Sequence, residues 1–289
     1  SEEVREPRAT FNGGDGEPFL YEEGKDGALL DAGKLKRDIL SSLKNRVYGG
    51  DFAEVTLSVK KVAPSQDMAG LKQKTARLSV YTTYFDCENT PRVSNIKLAG
   101  EKISGCVLSP GESFSFNSRV GARTEANGFK KAKIIEDGRF VYGTGGGVCQ
   151  VSTTLYNAAL LAGLKVTEYH PHSLSVSYVR PSRDAMVSGS YSDLKFCNTT
   201  NCPVYIRVLT GLYYVRCEMY GLSDGAKYSL SSVVTGEEGG TVESECYLTV
   251  TRGESSYTKL LRKDRYLPAK KSADAEEQDN KVETEIKIP

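Results

Sequence analysis

The sequence predicts an α+β fold: a mainly antiparallel β-sheet domain with a few helices, preceded by a small α+β module. Three observations lead there. Short β-rich runs bounded by turn residues recur from Leu78 to Leu261. Only a few stretches keep the apolar spacing of a helix. A hairpin signal, Glu136-Asp137-Gly138-Arg139, sits between two β-rich runs, Lys133 to Ile135 and Phe140 to Tyr142.

The elements follow in order. Asn12-Gly13-Gly14-Asp15-Gly16 is a turn cluster in a polar opening stretch. Leu35, Ile39, Leu40 and Leu43 recur at helix spacing over Ala32 to Leu43, with Asp31 as cap and Gly49-Gly50 as stop. Phe52 to Val62 alternates, with Val55, Leu57 and Val59 on one face, and reads as a strand; Asp67 to Lys74 reads as a short helix. Leu78 to Phe85 is β-rich, and Pro91 to Ile103 is a helix behind an Asn89-Thr90 cap. A turn at Leu108 to Glu112 leads into a strand at Ser113 to Phe116. A helix runs from Cys149 to Leu161, with Val151, Leu155, Ala158, Ala159 and Leu161 facing a core and Gly163 closing it. Strands are expected at Val166 to Tyr169, Ser173 to Val179, Val187 to Tyr191, Leu194 to Cys197, Val204 to Leu209 and Tyr213 to Met219. The chain stays strand-like from Tyr228 to Leu261 and is polar and flexible from Lys270 on. Three segments result: 1–78, 79–222 and 223–289.

With 289 residues and 39% hydrophobic content, the chain holds one large or two modest domains. Lys and Arg total 38 against 37 Asp and Glu, and no nucleic-acid module signature is present, which excludes a nucleic-acid partner. No run approaches the roughly 20 apolar residues that span a bilayer. No basic segment followed by an apolar one opens the sequence, so an exported form would carry its targeting segment or membrane anchor outside it. The seven cysteines, an odd number with one in a special setting, predict three pairs plus one free thiol in an oxidising, extracytoplasmic compartment. Reduced structural thiols are the alternative. Cys197 and Cys202 flank a turn-rich tetrapeptide where a local bridge is easy, and the spacing of a zinc knuckle is absent.

Gly145-Gly146-Gly147-Val148-Cys149-Gln150 is the segment that carries chemistry. It places Cys149 in the first turn of a helix, where the positive end of the helix dipole favours the thiolate. Cys149, Gln150, Ser152 and Thr153 crowd that turn, whose unpaired backbone N–H groups can receive a developing oxyanion. Three consecutive glycines cost backbone entropy without packing gain, which favours a functional loop over a cysteine that merely packs a helix start. The two histidines of the chain, His170 and His172, follow the same helix. Either could serve Cys149 as base or ion-pair partner, with His172 the first choice. Lying two apart on an extended segment, both rings would face the cleft. A metal site of both imidazoles and Cys149 ranks lower, for want of a nearby carboxylate. Asp184 could orient an imidazole. Arg180 or Arg183 could take a substrate carboxylate, or form a surface pair with Asp184. Asn117, Arg119 and Arg123 could line the same cleft.

Asn95 to Ala99, Leu108 to Asn117, Gly145 to Ala158, His170-Pro171-His172-Ser173 and Asp184-Ala185 together resemble, in that order, the VanW family. The likeness runs from about Tyr81 to Gly221. The preceding stretch resembles a peptidoglycan-binding module, and Arg252 to Pro268 is similar to the end of a glycine-named accessory domain. The resemblance implies a cell-wall enzyme without cofactor or metal, acting on peptidoglycan stem peptides as a monomer. It implies an L,D-transpeptidase. Cys149 would attack a diaminopimelate carbonyl of a donor tetrapeptide, expel D-alanine and pass the acyl group to a second diaminopimelate amine, making a 3-3 cross-link. A noncatalytic wall-binding protein and a muropeptide carboxypeptidase are the alternatives. Ser182 stands where the family pattern expects glycine, and Met186 where it expects threonine.

Overall fold

In a computed structural model, residues 2–44, 56–136, 138–189 and 191–270 are described. Gly49-Gly50, the Phe52 to Val55 part of the expected strand, Asp137 and the tail after Lys270 lie outside them. The chain divides into two units: one holds residues up to Phe11 and Phe19–Thr75, and the other holds Asn12–Pro18 and everything from Ala76 on. No helix among the described residues is long and apolar enough to cross a membrane.

The first unit contains β1 (Arg8–Phe11), β2 (Phe19–Glu22), β3 (Gly27–Leu30), α1 (Ala32–Lys44), β4 (Val59–Val62) and α2 (Met68–Lys74). Its sheets are two antiparallel pairs, β1 with β2 and β3 with β4. Asp67 caps α2 by accepting the Gly70 N–H at 2.7 Å.

The second unit is built on an antiparallel sheet in the order β5–β13–β12–β6. Its strands are β5 (Ala76–Tyr84), β6 (Cys106–Leu108), β12 (Val204–Thr210) and β13 (Tyr214–Gly221). Two-residue alternation puts Val204, Ile206, Val208, Val215, Cys217 and Met219 in the core. The opposite face carries the buried Arg207–Glu218 pair, 3.4 Å apart and directly across from each other. Arg207 also donates to the Gly14 and Gly16 carbonyls, so the Asn12–Gly16 turn covers that face. α3 (Thr90–Ile103) lies between β5 and β6; between β6 and β12 come β7 (Ser113–Ser115), α4 (Phe116–Val120), the β8 (Lys131–Glu136)–β9 (Arg139–Thr144) hairpin, α5 (Val148–Leu161), β10 (Lys165–Glu168) and β11 (Lys195–Cys197). β10, β11 and β7 form a second antiparallel sheet. The fold is thus α+β and mostly antiparallel.

α5 differs from the one-sided helix expected from its pattern. It is buried from Val148 to Leu160 except at Cys149, while Leu161, expected in the core, is only half-buried. It packs on β5 and β13, beside α3. Burial on all sides is tolerated because its polar side chains are paired. Thr154 donates to the Gln150 carbonyl and shares a hydrogen bond with Thr83. Asn157 bonds the Thr153 and Arg183 carbonyls.

Three further expectations are corrected. Ser173 to Val179 forms no strand, and Val187 to Tyr191 is reduced to a single bridge between Ser188 and Ser192. The segment from residue 223 is not separate: β14 (Lys227–Glu238), β15 (Thr241–Arg252) and β16 (Ser255–Tyr266) form an antiparallel sheet that belongs to the second unit, with β14 against α5. All seven cysteines are free thiols, against three expected pairs. Cys106 and Cys217 lie on strands separated by β12, two strand spacings or about 9–10 Å apart, beyond the reach of a disulfide. The Cys197–Cys202 turn is closed instead by Asn198, which donates to the Cys202 carbonyl and accepts from Thr200.

Candidate active site

The glycine loop exists because two backbones must come close. A Cβ on Gly146 would sit 2.7 Å from the Lys133 carbonyl oxygen of β8. Gly147 caps α5 in the left-handed region, φ 106°, with the Arg92 carbonyl oxygen 3.1 Å from where a Cβ would be. Buried Asn95 of α3 clamps the loop: its amide nitrogen donates to the Lys130 and Gly146 carbonyls, and its oxygen accepts the Lys130 N–H. This sets Cys149 at the second position of α5. Not all orphan N–H groups expected there are open. Val148 N–H bonds the Gly145 carbonyl, and Gln150 N–H bonds the Gly147 carbonyl. The Cys149 N–H has no partner among the described residues and is open to an oxyanion.

His172 comes beside Cys149 from the loop after β10, close enough for each to shift the other's pKa, while the thiol itself lies 3.4 Å from the Val187 carbonyl. Its Nδ1 lies 2.7 Å from Asp184 Oδ2, which also accepts the His172 N–H at 2.7 Å. Both residues are buried. Burial disfavours charge on His172, but the hydrogen bonds and charges of Asp184 and Cys149 outweigh it and push its pKa up to about 9. Burial likewise raises the Cys149 thiol, yet the His172 hydrogen bond and charge, with Arg123 beyond, bring it below its usual value. A thiolate–imidazolium pair results. It forms above the lowered thiol pKa and loses its imidazolium as pH rises through about 9. Iodoacetamide at pH 6 is therefore expected to alkylate Cys149 faster than free cysteine, whose pKa is about 8.5. An alkylation midpoint at that ordinary value would remove the ion pair.

The other expected site residues fall elsewhere. His170 turns outward and bonds Glu168 at 3.1 Å, because the segment is not an extended strand; the two imidazoles engage different carboxylates. Gly145, Gly146, Gly147 and Gln150 line a cleft of about 1040 Å³ that opens on Cys149. The Gln150 amide is consumed: it accepts from Arg92 and donates to Thr83 and the Tyr84 carbonyl. Ser152 and Thr153 do not reach the cleft. Ser152 donates to the Ala185 carbonyl and Thr153 accepts the Ala185 N–H, so together they hold the loop that carries Asp184. Arg180 is exposed outside the cleft, and Arg183 bonds Asn157 with its guanidinium over the Tyr81 ring. The cations that do line the cleft include Arg92 and Arg123.

Behind Asp184 stands the C-terminal sheet, which the sequence pattern had left as accessory. Tyr266 donates to Asp184 Oδ1 at 2.6 Å, and Arg262 donates to the Asp184 carbonyl at 2.7 Å. Arg262, Asp264 and Tyr266 alternate along β16, and that spacing was the available signal. Ser182 has φ 60°, which explains why the family pattern expects glycine there. Its serine is accommodated by a hydroxyl pinned to Ser244 at 2.7 Å and an N–H donated to Tyr266. Met186, the other departure, is held through its N–H on the His170 carbonyl and faces the cleft.

A cysteine at a helix start, paired with a histidine that a buried aspartate orients, defines the cysteine–histidine–aspartate class of sites. Residues 91–220 match the family model described as VanW like protein. The chain is 42% identical over 161 residues to the uncharacterised protein YoaR of Bacillus subtilis, covering 55% of this chain and 53% of that one. It is 30% identical over 123 residues to the vancomycin B-type resistance protein VanW of Enterococcus faecalis, covering 40% and 44%. The chain thus spans about half the length of these curated relatives. No solved structure matches it.

Proposed function

We propose that the protein is a cysteine-dependent acyltransferase of the bacterial cell wall, an L,D-transpeptidase that makes 3-3 peptidoglycan cross-links outside the cytoplasm. The observation that carries this reading is a buried His172–Asp184 pair, 2.7 Å apart, set beside Cys149 at the start of α5 in an open cleft. The relative named for vancomycin resistance supports a cell-wall substrate.

In this reaction the Cys149 thiolate attacks the diaminopimelate carbonyl that carries the terminal D-alanine. The oxyanion is received by the Cys149 N–H. As the C–N bond breaks, His172 gives its proton to the leaving D-alanine amine, and a thioester remains. The now neutral His172 takes a proton from the side-chain amine of an acceptor diaminopimelate. That amine attacks the thioester, and the thiolate leaves. Asp184 keeps Nδ1 protonated and the ring oriented throughout.

The test is incubation with a disaccharide-tetrapeptide, followed by intact mass and muropeptide analysis. The expected result is an adduct on Cys149 equal to the donor minus D-alanine, and then a dimer. Release of D-alanine without dimer would make the enzyme a carboxypeptidase. No adduct and no turnover would leave a wall-binding protein.

A further inference from the structure

Arg123 follows α4 and lines the cleft close to Cys149. Its guanidinium is half-buried, and that burial opposes its charge, offset in part by Cys149 and Asp193. It is rigidly mounted. Its Nη2 donates to Asn117 Oδ1 at 2.5 Å, and its plane lies 5.7 Å from the Phe116 ring centre. Asn117 is itself fixed by the Ser192 and Gly189 carbonyls. Yet among the described residues no carboxylate lies within ion-pair distance of Arg123. Asp193 is already occupied by the N–H groups of Asn117 and Leu194 and by the Ser115 hydroxyl. A preorganised, partly desolvated guanidinium with open donors and no carboxylate paired to it is suited to a ligand carboxylate, which it can hold with two parallel hydrogen bonds.

We propose that Arg123 is a specificity residue that binds a free carboxylate of the acyl donor within one residue of the attacked carbonyl. This rests on the acyl-transfer reading. Two carboxylates of a donor tetrapeptide qualify: the C-terminal one of the leaving D-alanine and the side-chain one of diaminopimelate.

The experiment measures acyl-enzyme formation by intact mass for three donors: the parent tetrapeptide, its C-terminal amide and its diaminopimelate amide. Each is tried with the wild type and with Arg123→Gln. One of the amides is expected to acylate the wild type about 10- to 100-fold more slowly, the scale of hydrogen bonds to a charged group. Which amide suffers identifies the carboxylate. In Arg123→Gln the ratio is expected to fall to about threefold or less. Equal wild-type rates for all three donors, or a ratio that survives in Arg123→Gln, would overturn the proposal and leave acyl transfer standing. No acyl-enzyme with any donor would overturn both. Thermal unfolding reports whether the variant is folded; if it is not, Arg123→Lys, which keeps the charge and loses the fork, decides by the same ratio.

Discussion

Cys149→Ala is expected to abolish acyl-enzyme and dimer formation, a loss on the order of 10⁴- to 10⁶-fold by analogy with removal of a nucleophile from a hydrogen-bonded triad. The physical reason lies in the way charge is placed around one sulfur. α5 presents the thiol at its N-terminus, and His172 beside it lowers the thiol pKa. Asp184 lies on the far side of the ring, 2.7 Å from Nδ1. Remove the sulfur and the other two have nothing to activate. His172→Ala is expected to approach the same loss by a different route: without the imidazolium, burial dominates and the thiol pKa rises, so alkylation at pH 6 falls with acylation. Intact mass with the tetrapeptide and the pH profile of alkylation distinguish the two. Cross-linking by Cys149→Ala would sink the nucleophile assignment.

Arg262→Ala is expected to cost about 3–5 kcal/mol of stability, because it leaves buried carboxylates without their cation. Arg262 is 4% exposed. It donates Nε to Asp264 Oδ2 at 2.6 Å and Nη1 to the Asp184 carbonyl, with Nη2 3.5 Å from Asp184 Oδ1. Its plane lies 4.5 Å from the Tyr169 ring centre, so packing is lost as well. Thermal unfolding would drop by about 10 °C or more for a unit of this size. Tyr266→Phe separates positioning from stability. It removes one donor to Asp184 and the acceptor for the Ser182 N–H, at about 1–3 kcal/mol for the group left unpaired. Acylation should fall about tenfold while the fold persists. An Arg262→Ala protein with unchanged melting and unchanged acylation would show that β16 does not support the site.

Much of this was legible in the sequence because it is local. The glycine loop, the helix behind it, the Asn89 cap and the β8–β9 hairpin depend on residues within a few positions of one another, and the structure shows each of them. The α5 polar residues were less legible. Gln150, Ser152 and Thr153 look like site residues from spacing alone, since they share a helix turn with Cys149. Their partners, Arg92, Thr83, Tyr84 and Ala185, are distant in sequence and consume them. The disulfide expectation failed for a related reason. Counting cysteines says nothing of strand order, and strand order puts β12 between Cys106 and Cys217.

By itself the sequence determined the α+β class, the nucleophile candidate at a helix start, and the short list of histidines and carboxylates that could serve it. Tertiary structure decided the rest. It chose His172 over His170, since an irregular segment points one ring at Asp184 and the other at Glu168. It took Arg180 and Arg183 away from the cleft and set Arg92 and Arg123 in it. It drew β16 beneath a triad whose aspartate lies 82 residues earlier in the chain. Periodicity reports which face of an element is apolar; it carries no record of what that face meets, and the chemistry at Cys149 is set by such meetings.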